Sequence, residues 1–271
     1  SSRSATTPPE HVTELWRIDH CDFKETRSVL NKVRPKTVFH LAGFTSAQRN
    51  LELVQRTLND NLVATVNLLH AASEAGCERV ILAGSLEEPD DSGTPASSPY
   101  AVSKLSGHAY ARMFRNTFGL DFTNARIFMV YGPAQRETYK LVPYVTLSLL
   151  RGEVPKLSSG GRKIDWIFVD DVANGLVACA TSRAAGGETV DLGSGLLTTV
   201  KEVVRKLVDL INPSLQPEYG SIVDRENEQV RRADVARTYS ITGWKPSVSL
   251  EAGLEQTVSW YSNHLDRKIA T

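Results

Sequence analysis

Short runs of apolar residues alternate with longer amphipathic stretches through the first half of the chain, and this alternation restricts the fold more than any other feature. Thr37-Val38-Phe39-His40-Leu41 and Arg79-Val80-Ile81-Leu82-Ala83 lack the strict apolar–polar alternation of a half-exposed strand. As strands they must be buried on both faces. Between them, Leu51 to Ala75 carries Leu58, Leu62, Val66 and Leu69 at helical spacing and stops at Gly76. Doubly buried strands joined by helices form a parallel sheet with helices on either side. The same reading predicts a strand at Leu15-Trp16-Arg17-Ile18 and a helix from Phe23 to Val33, ended by Pro35. It predicts a further helix from Tyr100 to Phe118, closed by Gly119, and a strand from Phe122 to Val130. Beyond Gly132 the pattern loosens. Helices are expected over Leu141 to Arg151, Val169 to Thr181, Val200 to Ile211 and Leu250 to His264, with short strands near Asp165 to Phe168 and Thr189 to Leu192. The expected division is a sheet-forming half, residues 1–132, and a mixed half, residues 133–271, that partly rejoins the sheet and partly builds a small lobe.

Composition narrows the function classes. Apolar residues make up 41% of the 271 and charged residues 23%, an ordinary globular balance. The formal net charge is zero, so no basic excess points to a nucleic-acid or membrane-surface partner. Cys21, Cys77 and Cys179 are odd in number and far apart, which suits reduced thiols in a cytoplasmic protein. The six histidines show neither HxxxH nor HExxH spacing, so no protein-bound metal is expected. No apolar run approaches the roughly 18 residues of a membrane span. The N-terminus lacks the apolar core of a signal peptide, and Ser1 to Glu10 reads as a polar loop.

Candidate chemistry centres on Tyr100-Ala101-Val102-Ser103-Lys104, which puts a phenol and an ammonium on one helix face. A free tyrosine, with a pKa of about 10, is a poor base near neutrality. A nearby ammonium favours the phenolate, which allows proton exchange with a substrate hydroxyl or carbonyl. Ser85 follows the strand Val80 to Ala83, at the carboxyl edge where parallel sheets place ligands. Its hydroxyl can bond the same substrate oxygen. Alone, Ser85 reads better as a turn or helix cap.

Several segments, in order, resemble the extended short-chain dehydrogenase/reductases, in particular the nucleotide-sugar epimerase and dehydratase family. They are Asp19-His20-Cys21-Asp22 with the run Val33 to Gly43, Asn61 to Ala72, Ala83-Gly84-Ser85, Ser98 to Lys104, Ala125 to Pro133, Asp165 to Val172, and Ile241 to Pro246. The resemblance implies a Rossmann-like sheet with a small C-terminal substrate lobe. It implies NAD or NADP as cofactor, a nucleotide-sugar as substrate, and a homodimer built on the central helix and the Tyr100 helix. Tyr100, Lys104 and Ser85 take the catalytic positions, with Glu87 as a possible assistant beside the keto carbon. Leu41, Ala42, Gly43, Ala83, Tyr100 and Lys104 fall at cofactor positions. Thr45, Ser46, Met129, Lys140, Arg225 and Arg231 fall at or near substrate positions, Arg225 as the guanidinium for a pyrophosphate.

Departures from the family pattern shape the expected reaction. The first glycine is Gly43, so the strand–GxxGxxG–helix that receives the cofactor pyrophosphate is expected to be absent from the chain, leaving the cofactor half incomplete. Leu86 stands where dehydratases often carry an aspartate, and an apolar group cannot protonate a departing hydroxyl. Met129 and Ile164 replace polar residues common near the nucleotide and sugar. The favoured expectation is an epimerase or 4-ketoreductase acting at carbon 4. The alternatives are a dehydratase or decarboxylase using Glu87, whose other reading is a solvated loop carboxylate, and a catalytically silent nucleotide-binding relative.

Overall fold

A computed structural model describes residues 12–46, 48–89, 95–224 and 229–265. These fall into two compact units. The first comprises residues 1–126 and 176–190, the second residues 127–175 and 191–271.

The first unit begins, among its described elements, with helix α1 (Phe23–Val33). Asp22 accepts bonds from the Lys24 and Glu25 amides to start α1, and Arg34 turns into the left-handed region to end it. Strand β1 (Thr37–His40) follows. The predicted central helix is α2 (Leu53–Thr57), a π-helical stretch over residues 58–63, and α3 (Ala64–Glu74). Then come β2 (Arg79–Ser85), α4 (Pro99–Phe118) and β3 (Asp121–Ile127). The sheet order is β1-β2-β3-β7, with β7 spanning Thr189–Leu192. Strands β1 and β2 run parallel, from Thr37 opposite Arg79 to His40 opposite Leu82. Val80 and Leu82 join Leu30, Leu68, Leu69, Ala111 and Phe114 in one cluster, so α1, α3 and α4 cover that side. Ile81, whose side chain alternates to the other side, is fully buried as well. That is the doubly covered sheet the apolar runs required.

The second unit holds β4 (Met129–Tyr131), α5 (Leu141–Leu150), β5 (Lys156–Leu157) and β6 (Lys163–Phe168). Helix α6 (Val169–Thr181) starts there and ends in the first unit. The second unit continues with β8 (Leu197–Thr199), α7 (Val200–Ile211), β9 (Glu218–Tyr219), α8 (Val235–Thr242) and α9 (Leu250–Asn263). Strand β6 pairs with β4 in parallel and with β8 antiparallel. Its core gathers Val145 and Leu149 from α5, Trp166 and Phe168 from β6, Val204 and Leu207 from α7, and Leu254 from α9. A reciprocal Thr199–Glu202 capping box starts α7. Two buried carboxylates tie its loops. Asp165 accepts from Ser194 N (2.7 Å), Ser194 Oγ (2.7 Å), Gly195 N (2.9 Å) and Ala233 N (2.9 Å). Asp171 accepts from Ser247 N and Oγ and from Val248 N.

Two local expectations are corrected. Leu15 to Ile18 forms no strand; the described sheet begins at β1. The predicted strand Phe122 to Val130 breaks at Phe128, and β3 and β4 enter different sheets. The short strands β5, β8 and β9 and helix α8 carried too little periodicity to be read.

Candidate active site

Strand β2 ends at Ser85 and α4 begins at Pro99, so the sheet edge and the helix start lie close in the chain. Ser98 caps α4 by accepting from Ala101 N, and Pro99 occupies the first turn, where a missing N–H costs nothing. Tyr100, Lys104 and His108 follow at intervals of four along one face of α4. Each meets a partner on or after β2. The Ser85 side chain lies beside the Tyr100 phenol, where it favours the phenolate. Lys104 Nζ donates to the Ala83 carbonyl at 2.8 Å. His108 Nδ1 lies 3.9 Å from Glu88 Oε2.

The electrostatics differ from the sequence expectation at Tyr100. Burial pushes its phenol up to about 12; the Ser85 side chain opposes this, and the Glu88 and Glu87 charges add to it. The ammonium of Lys104 stands 5.8 Å from the centre of the Tyr100 ring, but burial dominates the phenol. Tyr100 is therefore a protonated phenol at neutral pH. Burial also lowers Lys104 to about 8, with Glu88 pulling it back up. Behind this pair, His40 is lowered to about 3 by burial, then by Lys104 and His20, so its ring is neutral.

Ser85 is held in a tight turn. Its carbonyl accepts from Glu88 N at 3.0 Å, its amide donates to Glu88 Oε1 at 2.7 Å, and its Oγ accepts from Glu87 N at 3.2 Å. With a lone pair taken by Glu87 N–H, the Ser85 hydroxyl can donate toward Tyr100 or a substrate oxygen. Glu87 is 9% exposed and Leu86 6%. The loop-carboxylate reading of Glu87 is thus corrected: it is a buried group beside Ser85.

The glycine loop after β1 meets the same face. Leu41, Ala42 and Gly43 are exposed, as is Thr45, while Ser46 is half-buried. A Cβ on Gly43 would stand 2.9 Å from Asn61 Oδ1 and 3.7 Å from Lys104 Nζ, so only glycine lets the backbone approach this closely. Asn61 sits in the π-helical stretch. It accepts from Phe44 N (2.7 Å) and donates to Phe44 O (3.1 Å) and Ser103 Oγ (3.0 Å), tying the loop to α4. π-helical turns often occur at functional sites. This donor set suits the nicotinamide–ribose end of a dinucleotide: an ammonium with donors beyond the one given to Ala83, a phenol, and an exposed glycine.

The remaining candidates lie in the second unit. Met129 is half-buried on β4, Lys140 sits at the residue before α5, and Arg231 is half-buried ahead of α8. Arg225 lies outside the described residues. Sequence reasoning gave no role to Asn61, Glu88, His108 or Asn124. The four-residue step from Lys104 to His108 was a signal for His108, and Asn61 opened a quoted segment. Nothing in the sequence distinguished Glu88 or Asn124.

Residues 1–193 match the family model described as the NAD dependent epimerase/dehydratase family. A UDP-glucose 4-epimerase of Mycolicibacterium smegmatis is 30% identical over 264 residues, covering 92% of this chain and 83% of that protein. A dTDP-glucose 4,6-dehydratase of Neisseria meningitidis serogroup B is 32% identical over 287 residues, covering 93% of this chain and 79% of that protein. The crystal structure of a UDP-glucose 4-epimerase with UDP-glucose, from Thermotoga maritima, superposes with a TM-score of 0.83 at 26% identity. It covers 93% of this chain and 85% of its own.

Proposed function

This chain belongs to the NAD-dependent epimerase/dehydratase family, and from that premise we propose that it epimerises or reduces carbon 4 of a nucleotide-hexose with NAD or NADP. The observation that carries the reading is the ladder of Tyr100 on Ser85 and Lys104 on Ala83, within one compact unit. Tyr100 transfers the proton at the C4 oxygen, and Ser85 O–H holds that oxygen in line. Lys104 and the Gly43 loop hold the ribose end of the cofactor, with Leu41, Ala42 and Ala83 alongside. When bound, the cofactor supplies hydride acceptance and return at C4. Because Tyr100 is a phenol at neutral pH, it is ready as an acid toward a 4-keto group. As a base it needs the Lys104 charge and the Ser85 side chain to stabilise the phenolate.

Relatives of similar identity are named as epimerases and as dehydratases, so the choice between reactions rests on the residues after Ser85. Leu86 is apolar and buried, and cannot deliver a proton to a leaving hydroxyl. That favours epimerisation or reduction. Burial of Glu87 favours a second reading, a dehydratase or decarboxylase in which Glu87 alone moves the proton next to the keto carbon. Thr45, Ser46, Met129, Lys140, Arg225 and Arg231 are assigned to the nucleotide-sugar, with residues 1–132 as the cofactor half and 133–271 as the substrate half.

A homodimer is part of the reading. Opposite the Tyr100 face, α4 exposes Val102, Leu105, Tyr110 and Met113, and the π-helical stretch exposes Leu58. Such a stripe suits a copy of the same surface. The three free cysteines support a reducing, cytoplasmic setting, and no described helix is long and apolar enough to cross a membrane.

Incubation with UDP-glucose, UDP-glucuronate, dTDP-glucose and their 4-keto forms plus NAD(H) or NADP(H), followed by product mass and reduced-cofactor absorbance, tests the reading. A product of unchanged mass, or a reduced 4-keto sugar, is expected. Loss of water or carbon dioxide as the sole outcome would overturn it in favour of Glu87 chemistry. Tyr100→Phe is expected to lower turnover about 10²- to 10⁴-fold with the fold intact; retained turnover would remove Tyr100 from the mechanism.

A further inference from the structure

Beneath the Ser85–Tyr100 pair lies a buried polar cluster that the reaction as written does not use. Glu88, only 1% exposed, is its centre. Its Oε1 receives Ser85 N–H at 2.7 Å, and its Oε2 receives Asn124 Nδ2 from β3 at 3.1 Å. His108 Nδ1, on α4, lies 3.9 Å from the same Oε2 and 3.5 Å from Asn124 Nδ2. The backbone at Gly84 lies directly over the pair: a Cβ there would stand 2.6 Å from Glu88 Oε1 and 2.5 Å from Asn124 Oδ1. A buried carboxylate survives only where donors and positive charge compensate its desolvation. These contacts span β2, β3 and α4.

We propose that Glu88 is a positioning residue, which fixes the Ser85 backbone and links it, through Asn124 and His108, to the helix that carries Tyr100 and Lys104. Ser85 ends a strand and would otherwise be placed only by its turn. The carboxylate adds a short, charge-assisted bond to the Ser85 amide, the kind that restrains geometry most. His108 then extends the rungs formed by Tyr100 and Lys104 to a third, at the same four-residue interval. A change at Glu88 acts on Ser85 without touching substrate. This assignment deepens the reaction proposed above and rests on it for its catalytic meaning.

The test uses the protein alone in solution, so it is independent of any substrate. Amide hydrogen exchange of Ser85 is measured against Val80 and Leu82 in wild type, Glu88→Ala and Glu88→Gln. The His108 ring is titrated by NMR, its resonance identified with His108→Gln. Glu88→Ala is expected to speed Ser85 exchange about 10- to 100-fold relative to the β2 references, as loss of a bond to a charged acceptor requires. Glu88→Gln retains an acceptor and should stay within about threefold of wild type. Both variants should lower the His108 midpoint. Burial lowers that ring most; of the charged groups facing it, Glu88 raises it and Arg112 and Arg126 lower it, so removing the carboxylate leaves burial and the arginines unopposed. Unchanged Ser85 protection in a folded Glu88→Ala protein, or an unmoved His108 midpoint in Glu88→Gln, would overturn the assignment. Should Glu88→Ala not fold, Glu88→Gln decides through His108 and through the upfield movement of the Ser85 amide proton that a weaker acceptor causes. A wild-type protein inactive on every nucleotide-sugar would instead overturn the reaction, and leave these measurements standing.

Discussion

Replacing Lys104 with methionine should make this protein inactive and more stable. The ammonium is lowered from 10.5 to about 8, first by burial, with Glu88 as the opposing influence. At roughly 1.4 kcal/mol per pH unit, that displacement means the folded state disfavours the charged form by about 3 kcal/mol. The cost is fully present below pH 8, where Lys104 is charged in both states. From about pH 8 to 10.5 the unfolded chain binds a proton that the folded chain does not, so wild-type stability gains from Lys104 as pH rises. Methionine fills a similar volume without the charge, but gives up the 2.8 Å bond to Ala83 O, worth about 1 kcal/mol for a neutral donor. The net expectation is a gain of about 1–2 kcal/mol at pH 7, shrinking toward zero or below by pH 10.5. Urea unfolding of both proteins across that range measures it. Taking the difference between the two cancels the titrating groups remote from Lys104. A variant no more stable than wild type at pH 7, or a gap independent of pH, would refute the account of a strained lysine. Gained stability with lost turnover is the signature of a charge held for function.

Three further outcomes follow from the structure. Asp165→Ala strips the acceptor from Ser194, Gly195 and Ala233 and should cost about 3–5 kcal/mol in chemical denaturation; a loss under about 1 kcal/mol would mean the loops hold without it. His40, lowered from 6.5 to about 3, takes up a proton in the unfolded chain before the folded one. Stability should therefore fall with pH from about 6.5 downward by up to about 1.4 kcal/mol per pH unit, and His40→Gln should remove that slope; equal acid slopes would count against a neutral, buried ring. Val102→Glu, on the exposed side of α4, should convert a dimer to single chains by light scattering, and a wild type with the mass of one chain would refute the dimer.

How much was legible in the sequence depends on whether the signal was local. The helices Phe23–Val33, Val169–Thr181 and Val200–Ile211 and the strand Thr189–Leu192 stand where periodicity put them, because cap residues and amphipathic spacing act within a few residues. The Tyr100–Lys104 pair was legible for the same reason: a four-residue step on a helix is a local fact. The break at Phe128 was not, since which sheet a short strand joins is set by distant partners. Glu87 shows the limit most clearly. In sequence it is one of several charged residues in a polar loop; in the folded chain it is buried beside Ser85.

The sequence by itself determined a doubly covered parallel sheet, the helix carrying Tyr100 and Lys104, and the strand end carrying Ser85, because backbone geometry and apolar burial dictate each of these over short distances. The tertiary structure decided how those groups behave. Whether Tyr100 is a phenol or a phenolate, whether Lys104 is strained, and whether Glu88 is a solvated charge or the anchor of Ser85 all depend on desolvation and on partners that only folding brings together. Charge energies in a buried site are set by everything packed around them. The ladder of Tyr100, Lys104 and His108 against Ser85, Ala83 and Glu88 therefore exists only in the folded chain.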